Sequence, residues 1–500
     1  MKKSARKKNF WHWAGIALAM AMGLAIAGQG LAQDRNHIKK TAADPQRPAY
    51  HFLPVKNWMN DPNGLIQFNG DYHLFYQYNP NGASWANMSW GHAKSKDLVH
   101  WERLPVALLP DQPYDRYGVF SGTAVNDSGT AAVIYTCISS PDFRKEGQCL
   151  AQSRDMVRWE KYSGNPVIAA PPRGLRTVGF RDPYVWNQDG RWNMVVGSGI
   201  RDRGGAILLY RSKDLRVWEY AGPVAVGDIR KNGRMWECPS FFQLGKKWVM
   251  IVSPMTGRTI YFVGDFKDDK FSPDFQEELD LGGSLYAPQV FKDDQGRSVM
   301  FGWLKENYWL ASRRGWQGVQ TLPRVLTLGA DNRLNFEPAR EVESLRGKKF
   351  RLEDIKAGPG SGGVIKEAKG DALEIFAEIE VREAAQAGIK VRASPDDSEQ
   401  TLIYYDRAGE RLVVDRSRSS RDPAAKTPMR SAPFKLAEGE TLKLRIFLDR
   451  SVVEVFANSR VVMSSRIYPA RADSLGLELF STSGTMRVKS LDIWEMTPIW

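Results

Sequence analysis

One ten-residue pattern recurs three times at a nearly constant interval. "SKDLVHWERL" starts at Ser95, "SRDMVRWEKY" at Ser153 and "SKDLRVWEYA" at Ser212, steps of 58 (153 − 95) and 59 (212 − 153) residues. A fixed period of this size marks a fold assembled from copies of one supersecondary unit. Two further series keep step with it. Apolar segments recur as "YHLFYQYN" from Tyr72, "AAVIYTCI" from Ala131, "RWNMVVGS" from Arg191, "KWVMIVSP" from Lys247 and "RSVMFGWL" from Arg297. Each follows a member of a third series: "NDPNGLIQF", "FSGTAV", "RDPYVW", "ECPSFF" and "YAPQVF".

These series lack helical 3.6-residue spacing, so the unit is made of strands, and strand-only units repeated at this period predict a β-propeller. Five units give an expected five-bladed propeller over residues 48–337. The stretch "NWMNDPNGLIQFNG" at its start reads as a turn followed by a strand, because Asp61-Pro62 and Asn63-Gly64 are turn dipeptides. Residues 338–365 read as a linker, with "PAREVESLRG" forming a short helix and "GPGSGG" a flexible stretch. Beyond it, Leu373, Ile375, Ala377 and Ile379 alternate with other residues, as do Leu442, Leu444, Ile446 and Leu448. That period of two predicts half-buried strands and a second domain over 366–500. The predicted class is all-β.

The N-terminus reads as an export signal. Lys2, Lys3, Arg6, Lys7 and Lys8 precede an apolar run from Trp13 to about Ala27, and Gly30 and Ala32 supply small residues for cleavage. Residues 1–32 are therefore expected to be removed, leaving a secreted or periplasmic protein with no membrane anchor. Of the formal net charge of +13, five charges fall in this leader, leaving +8 (13 − 5) scattered among acids, which argues against a nucleic-acid partner. All six histidines lie within the first 100 residues without metal-ligand spacing, so neither metal nor cofactor is expected. Cys137 and Cys149 end and begin successive strand-like runs, which makes a bridge across that hairpin plausible.

In a propeller the first strand of each unit lines the central axis. The third series then converges on one funnel, carrying Asp61, Ser121, Asp182 and Glu237 at corresponding positions. Each acid alone has a structural reading: Asp61 as a turn cap, Asp182 paired with Arg181, Glu237 as an ordinary edge residue. Three together change the balance, because burying like charges is costly and folds gather them mainly for chemistry. Cleavage of a glycosidic bond needs two carboxyl groups, one to protonate the leaving oxygen and one to attack the sugar or activate water. A third can hold sugar hydroxyls. The 17 Trp provide flat apolar faces suited to sugar C–H surfaces.

"WMNDPNG", "FSG", "RDP" and "ECP", in this order, resemble the β-fructosidases of glycoside hydrolase family 32, which includes invertases, levanases and inulinases. The resemblance runs from about Tyr50 to the C-terminus, where "LRIFLDRSVVEVFAN" is similar to the family's sandwich domain. It implies a five-bladed propeller followed by a β-sandwich. It also implies Asp61 as nucleophile, Glu237 as acid/base and Asp182 as the residue that stabilises the transition state. Asn60, Gln77, Trp85, Phe120, Ser121, Arg181 and Tyr286 would line the fructose site. The implied substrate is sucrose or a fructan such as levan or inulin, hydrolysed with retention of configuration. A fructosyltransferase with the same residues, and a propeller that binds sugar without cleaving it, are the alternatives. From the leader, N-terminal sequencing of exported protein is expected to read from Gln33; an intact Met1 in the cytoplasmic fraction would contradict it.

Overall fold

The computed structural model describes residues 44–306, 312–359, 363–425 and 427–500. The expected leader at 1–32 and the centre of "GPGSGG" lie outside the described residues. Pro48–Ile499 form one compact unit. Its described residues form seven sheets, in an arrangement of propeller-plus-sandwich type.

Five antiparallel sheets follow one another along the first part of the chain. Their first strands are Asn57–Phe68, Gly118–Asp127, Thr177–Gln188, Trp236–Leu244 and Leu285–Lys292. These strands touch in chain order, and the first also meets the fifth. Trp316–Gln317 adds to Asn57–Phe68 in parallel, pairing Asn57 with Trp316 and Trp58 with Gln317, so residues that follow the start of the fifth sheet are stitched to the first. Gly318 sits beside this seam at φ 96°, where a Cβ would fall 1.9 Å from the carbonyl oxygen of Met59. Only glycine fits there.

The repeated apolar segments are the second strands, and alternation explains their near-continuous hydrophobicity. On Arg191–Ile200, Met194 and Val196 pack with Ala132, Ile134 and Leu150 of the preceding sheet. Val195, between them, packs with Phe241, Met250 and Val252 of the following sheet. Both faces of the strand are buried against neighbours, so both must be apolar. The Ser-Lys/Arg-Asp segments turn the corner into the fourth strand. Ser95 Oγ donates to Asp97 Oδ1 at 3.0 Å, which also accepts the N–H of His100 at 2.8 Å. Asp155 and Asp214 repeat the arrangement with Arg158 and Val217. Leu98, Met156 and Leu215 each adopt positive φ in that turn. The most visible repeat in the chain is thus a structural corner.

Two readings are corrected. Asp61-Pro62-Asn63-Gly64 does not form a turn before a strand but lies inside the single strand Asn57–Phe68. Irregularities in its pairing absorb the proline and glycine. The expected linker 338–365 contains a short 3₁₀ turn at Arg340–Leu345 and then the strand Arg346–Ala357. That strand pairs with Met486–Met496 in the sandwich. Its exposed face is rich in Lys, Arg and Glu, which hides it from a hydrophobicity scan. Cys137 and Cys149 form a disulfide across the hairpin of the second sheet.

The sandwich has a six-stranded and a five-stranded sheet. Ile375, Ile379, Leu444 and Val455 face Ile389, Val391, Ile403 and Leu479 in its core. Its junction with the first part contains a fully buried ionic network. His51 places Nδ1 2.8 Å from Asp449 and Nε2 2.9 Å from Glu454. Arg324 reaches Asp280 at 3.0 Å and Glu454 at 2.5 Å. Burial alone would lower the His51 pKa, but the two carboxylates hold it above its ordinary value. Burial would likewise raise Glu454, yet Arg324 and His51 draw it down to about 2. Arg324→Met is expected to leave two buried carboxylates short of a partner and to lower stability by about 3–5 kcal/mol. Denaturant unfolding followed by Trp fluorescence measures this.

Candidate active site

Every one of the five first strands carries the same interruption. Pairing skips from Met59 to Pro62, Val119 to Gly122, Arg181 to Tyr184, Glu237 to Ser240 and Tyr286 to Gln289, while each partner strand advances one residue fewer. These are β-bulges, which bend a strand and re-aim its side chains. The prolines suit them, since a bulge residue needs no ladder N–H. Asp182 (φ 61°), Cys238 (φ 48°) and Ala287 (φ 48°) sit in the left-handed region there. For side chains other than Gly or Asn this is uncommon and marks a site the fold over-determines.

The bulges also correct the expected equivalence of the three acids. Glu237 is the last paired residue before its bulge, Asp182 lies one beyond Arg181, and Asp61 lies two beyond Met59. They approach one point from three different steps of the same irregularity.

Asn60, Asp61, Gln77, Trp85, Phe120, Ser121, Arg181, Asp182, Glu237 and Tyr286 all line one cavity of about 340 Å³. Asp61 accepts from Ser121 Oγ at 2.7 Å and from Asn60 Nδ2 at 2.9 Å. The Cys238 thiol lies 3.4 Å from Asp61 Oδ2 and 3.5 Å from Asp182 Oδ2, so a single sulfur touches both carboxylates. Asp182 also accepts the Cys238 N–H at 2.9 Å. Glu237 accepts from Arg181 Nη2 at 2.8 Å and from the Tyr286 hydroxyl at 2.5 Å. Arg181 therefore pairs with Glu237 rather than with its neighbour Asp182. Gln77 donates to Val119 O at 3.0 Å, which fixes the strand that carries Phe120 and Ser121. Trp85 stands edge-on to Phe120 at 5.8 Å and is 43% exposed, at the rim of the cavity.

Four further residues line the cavity: Phe143, Glu146, Cys238 and Trp303. Glu146 binds Arg181 Nη1 at 2.6 Å and accepts the N–H of Phe180. Phe143 stacks on Phe120 at 5.9 Å with a 27° interplanar angle. Cys238 could have been found from its place in "ECP", and Trp303 from its place in a repeated apolar segment. Phe143 belongs to an irregular excursion between two strands and Glu146 opens the strand Glu146–Ser153 that follows it, paired with Ile138; neither falls in a repeated motif.

Residues 51–338 match the glycosyl hydrolases family 32 N-terminal domain, and residues 341–495 match the glycosyl hydrolases family 32 C-terminal domain. The chain belongs to glycosyl hydrolase family 32. It is 40% identical over 497 residues to a levanase from Bacillus subtilis, covering 91% of this chain and 71% of that one. It is 37% identical over 491 residues to a sucrose-6-phosphate hydrolase from Zymomonas mobilis, covering 92% of this chain and 94% of that one. Fructan 1-exohydrolase IIa from Cichorium intybus superposes with a TM-score of 0.84 at 28% identity, covering 91% of this chain and 98% of that one. This family 32 protein is thus a hydrolase acting on fructosides.

The electrostatics of the family 32 site follow from its contacts. Burial raises the Asp61 pKa, the hydrogen bonds from Ser121 and Asn60 oppose that, and the charge of Glu237 adds to it. Burial pushes Asp182 up to about 8, against the pull of Arg181 and with the repulsion of Glu237 and Asp61. The carboxylates interact, so their proton belongs to the cluster. Between the ordinary value of 3.8 and about 8, the folded cluster holds a proton, drawn most strongly to Asp182, that the unfolded chain releases. This group's stabilising share is therefore complete at low pH and is lost as pH rises through about 8. Asp182→Asn keeps an acceptor for the Cys238 N–H and has no such charge. The variant is expected to match the wild type near pH 4 and to exceed it at pH 8 by on the order of 3 kcal/mol. Thermal melting of both proteins across that range checks it; a constant difference would contradict the assignment.

Proposed function

We propose that this chain is an exported, retaining β-fructosidase that releases terminal fructose from sucrose or fructans. Asp61 attacks the anomeric carbon while Glu237 gives a proton to the leaving oxygen. A fructosyl-enzyme forms on Asp61, and Glu237 then takes a proton from the water that resolves it. Ser121 and Asn60 orient the attacking carboxylate. Arg181 and Tyr286 hold Glu237 against the leaving group. Asp182 faces the ring hydroxyls and stabilises the transition state by holding them, while the ionised carboxylates of the cluster supply negative charge to the developing cation. Gln77, Trp85 and Phe120 complete the fructose wall. In this reading the five sheets over 48–337 are the five blades of a propeller, residues 366–500 belong to its sandwich, and residues 1–32 direct export.

The observation that carries the reading is the Cys238 thiol lying within 3.5 Å of both Asp61 and Asp182, with Glu237 the adjacent residue. Two carboxylates sharing one thiol contact, with Glu237 lining the same cavity, fit displacement at a single sugar carbon. The relatives support the substrate class: one is named a levanase, and the Cichorium intybus exohydrolase has also been solved with 1-kestose.

Glu237→Gln is expected to lower turnover on sucrose by roughly 10²–10⁴-fold, the usual worth of general acid–base catalysis. A fructoside whose leaving group needs no proton should be largely spared in the first step, whereas Asp61→Asn should abolish both. Proton NMR should show β-fructose as the first product, as retention requires. Initial α-fructose, or equal loss on both substrates for Glu237→Gln, would overturn the roles.

A further inference from the structure

The strand that carries Asp61 is held from outside its own sheet. Gln320 Nε2 donates to the backbone carbonyl of Asn60 at 2.7 Å, and the Asn60 side chain donates to Asp61 Oδ1 at 2.9 Å. Gln320 is fully buried and does not line the cavity. Its own N–H donates to Phe52 O at 2.8 Å. Two residues on, the Leu322 N–H donates to Glu454 Oε1 at 2.8 Å. Arg324 reaches the other oxygen of Glu454 at 2.5 Å, and His51, next to Phe52, meets Glu454 Oε1 at 2.9 Å. One carboxylate of the sandwich thus grips both chain segments that Gln320 ties together. Gln320, Leu322, Arg324, Glu454 and His51 are buried, so a partner lost among them is not replaced by water.

We propose that Gln320 and Glu454 are positioning residues for Asp61. The C-terminal sandwich sets the place of the nucleophile through Glu454, the 320–324 segment and Asn60. The inference rests on reading Asp61 as the nucleophile. Its physical basis is that attack requires the reacting atoms in near-contact geometry, where a displacement of about 1 Å can lower the rate about 10²-fold. A purely structural role for the same contacts would change stability and leave the turnover of folded enzyme alone.

Gln320→Met keeps the length and burial of the side chain and removes the donor to Asn60. At a temperature where the variant is fully folded, kcat is expected to fall about 10- to 100-fold with KM within about twofold. The fall should be the same on sucrose and on a fructoside with an activated leaving group, because a better leaving group does not restore a displaced nucleophile. Glu454→Gln should lower kcat in the same direction, and the double variant should lose less than the product of the two single losses. Leu444→Ala, in the sandwich core and off this path, should lower the unfolding midpoint and leave kcat unchanged. If Glu454→Gln does not fold, Gln320→Met decides alone. Wild-type kcat in Gln320→Met would overturn the inference, and so would an equal kcat loss in Leu444→Ala. Wild-type protein that releases no fructose would instead overturn the functional reading.

Discussion

The structure depends on holding like charges together at low dielectric. Asp61, Asp182, Glu237 and Glu146 line one small cavity, and among the described residues that line it Arg181 is the only cationic side chain. Left to themselves, carboxylates this close would part or take up protons. They are kept in place by donors that cannot move: the Ser121 hydroxyl, the Asn60 amide, the Cys238 N–H and the Tyr286 hydroxyl. Arg181 divides its guanidinium between Glu146 and Glu237 and leaves Asp182 to the backbone. The raised pKa values of Asp61 and Asp182 show what this arrangement costs.

Strands alone do not deliver side chains to such a point, since successive residues face opposite sides. The bulge in each first strand solves this by adding one residue and turning the backbone, at Asp182, Cys238 and Ala287 into the left-handed region. Such bends persist only where their surroundings over-determine them. Flanking apolar second strands, packed on both faces, do this from within the sheets. The buried ion network of His51, Arg324, Asp449 and Glu454 does it from the sandwich side. The two segments it clamps lie close to Gln320 and to its partner Phe52: Arg324 is four residues from Gln320 and His51 is next to Phe52, so both are near the strand of Asp61.

Much of this was legible in the chain. The 58- and 59-residue steps exposed the unit, and the acid motifs singled out the residues that line the cavity. The failures have definite causes. Asp61-Pro62-Asn63-Gly64 looks like a turn because its dipeptides favour turns; a bulged strand uses the same residues for the same conformational freedom. The strand Arg346–Ala357 looks like linker because most of its side chains are charged and exposed, with Phe350, Leu352 and Ile355 turned to the sandwich core. Arg181 seemed destined for Asp182 by adjacency, but neighbouring residues on a strand point apart. Phe143 was silent because an irregular excursion has no period to read, and Glu146 because it opens a third strand, outside the motifs of the repeat.

The sequence by itself determined the strand class, the repeating unit, the two-part organisation, the family and the set of acids. These rest on short-range alternation, on the spacing of a repeat and on motifs a few residues long. Tertiary structure alone decided which carboxylate takes Arg181, that one thiol joins Asp61 to Asp182, and that the three acids occupy three different steps of the bulge. It also decided that His51 is clamped by Asp449, 398 residues away in the chain. Such contacts depend on how sheets far apart in sequence meet, and the free energy of a buried charge is set by those neighbours rather than by the residues beside it in the chain.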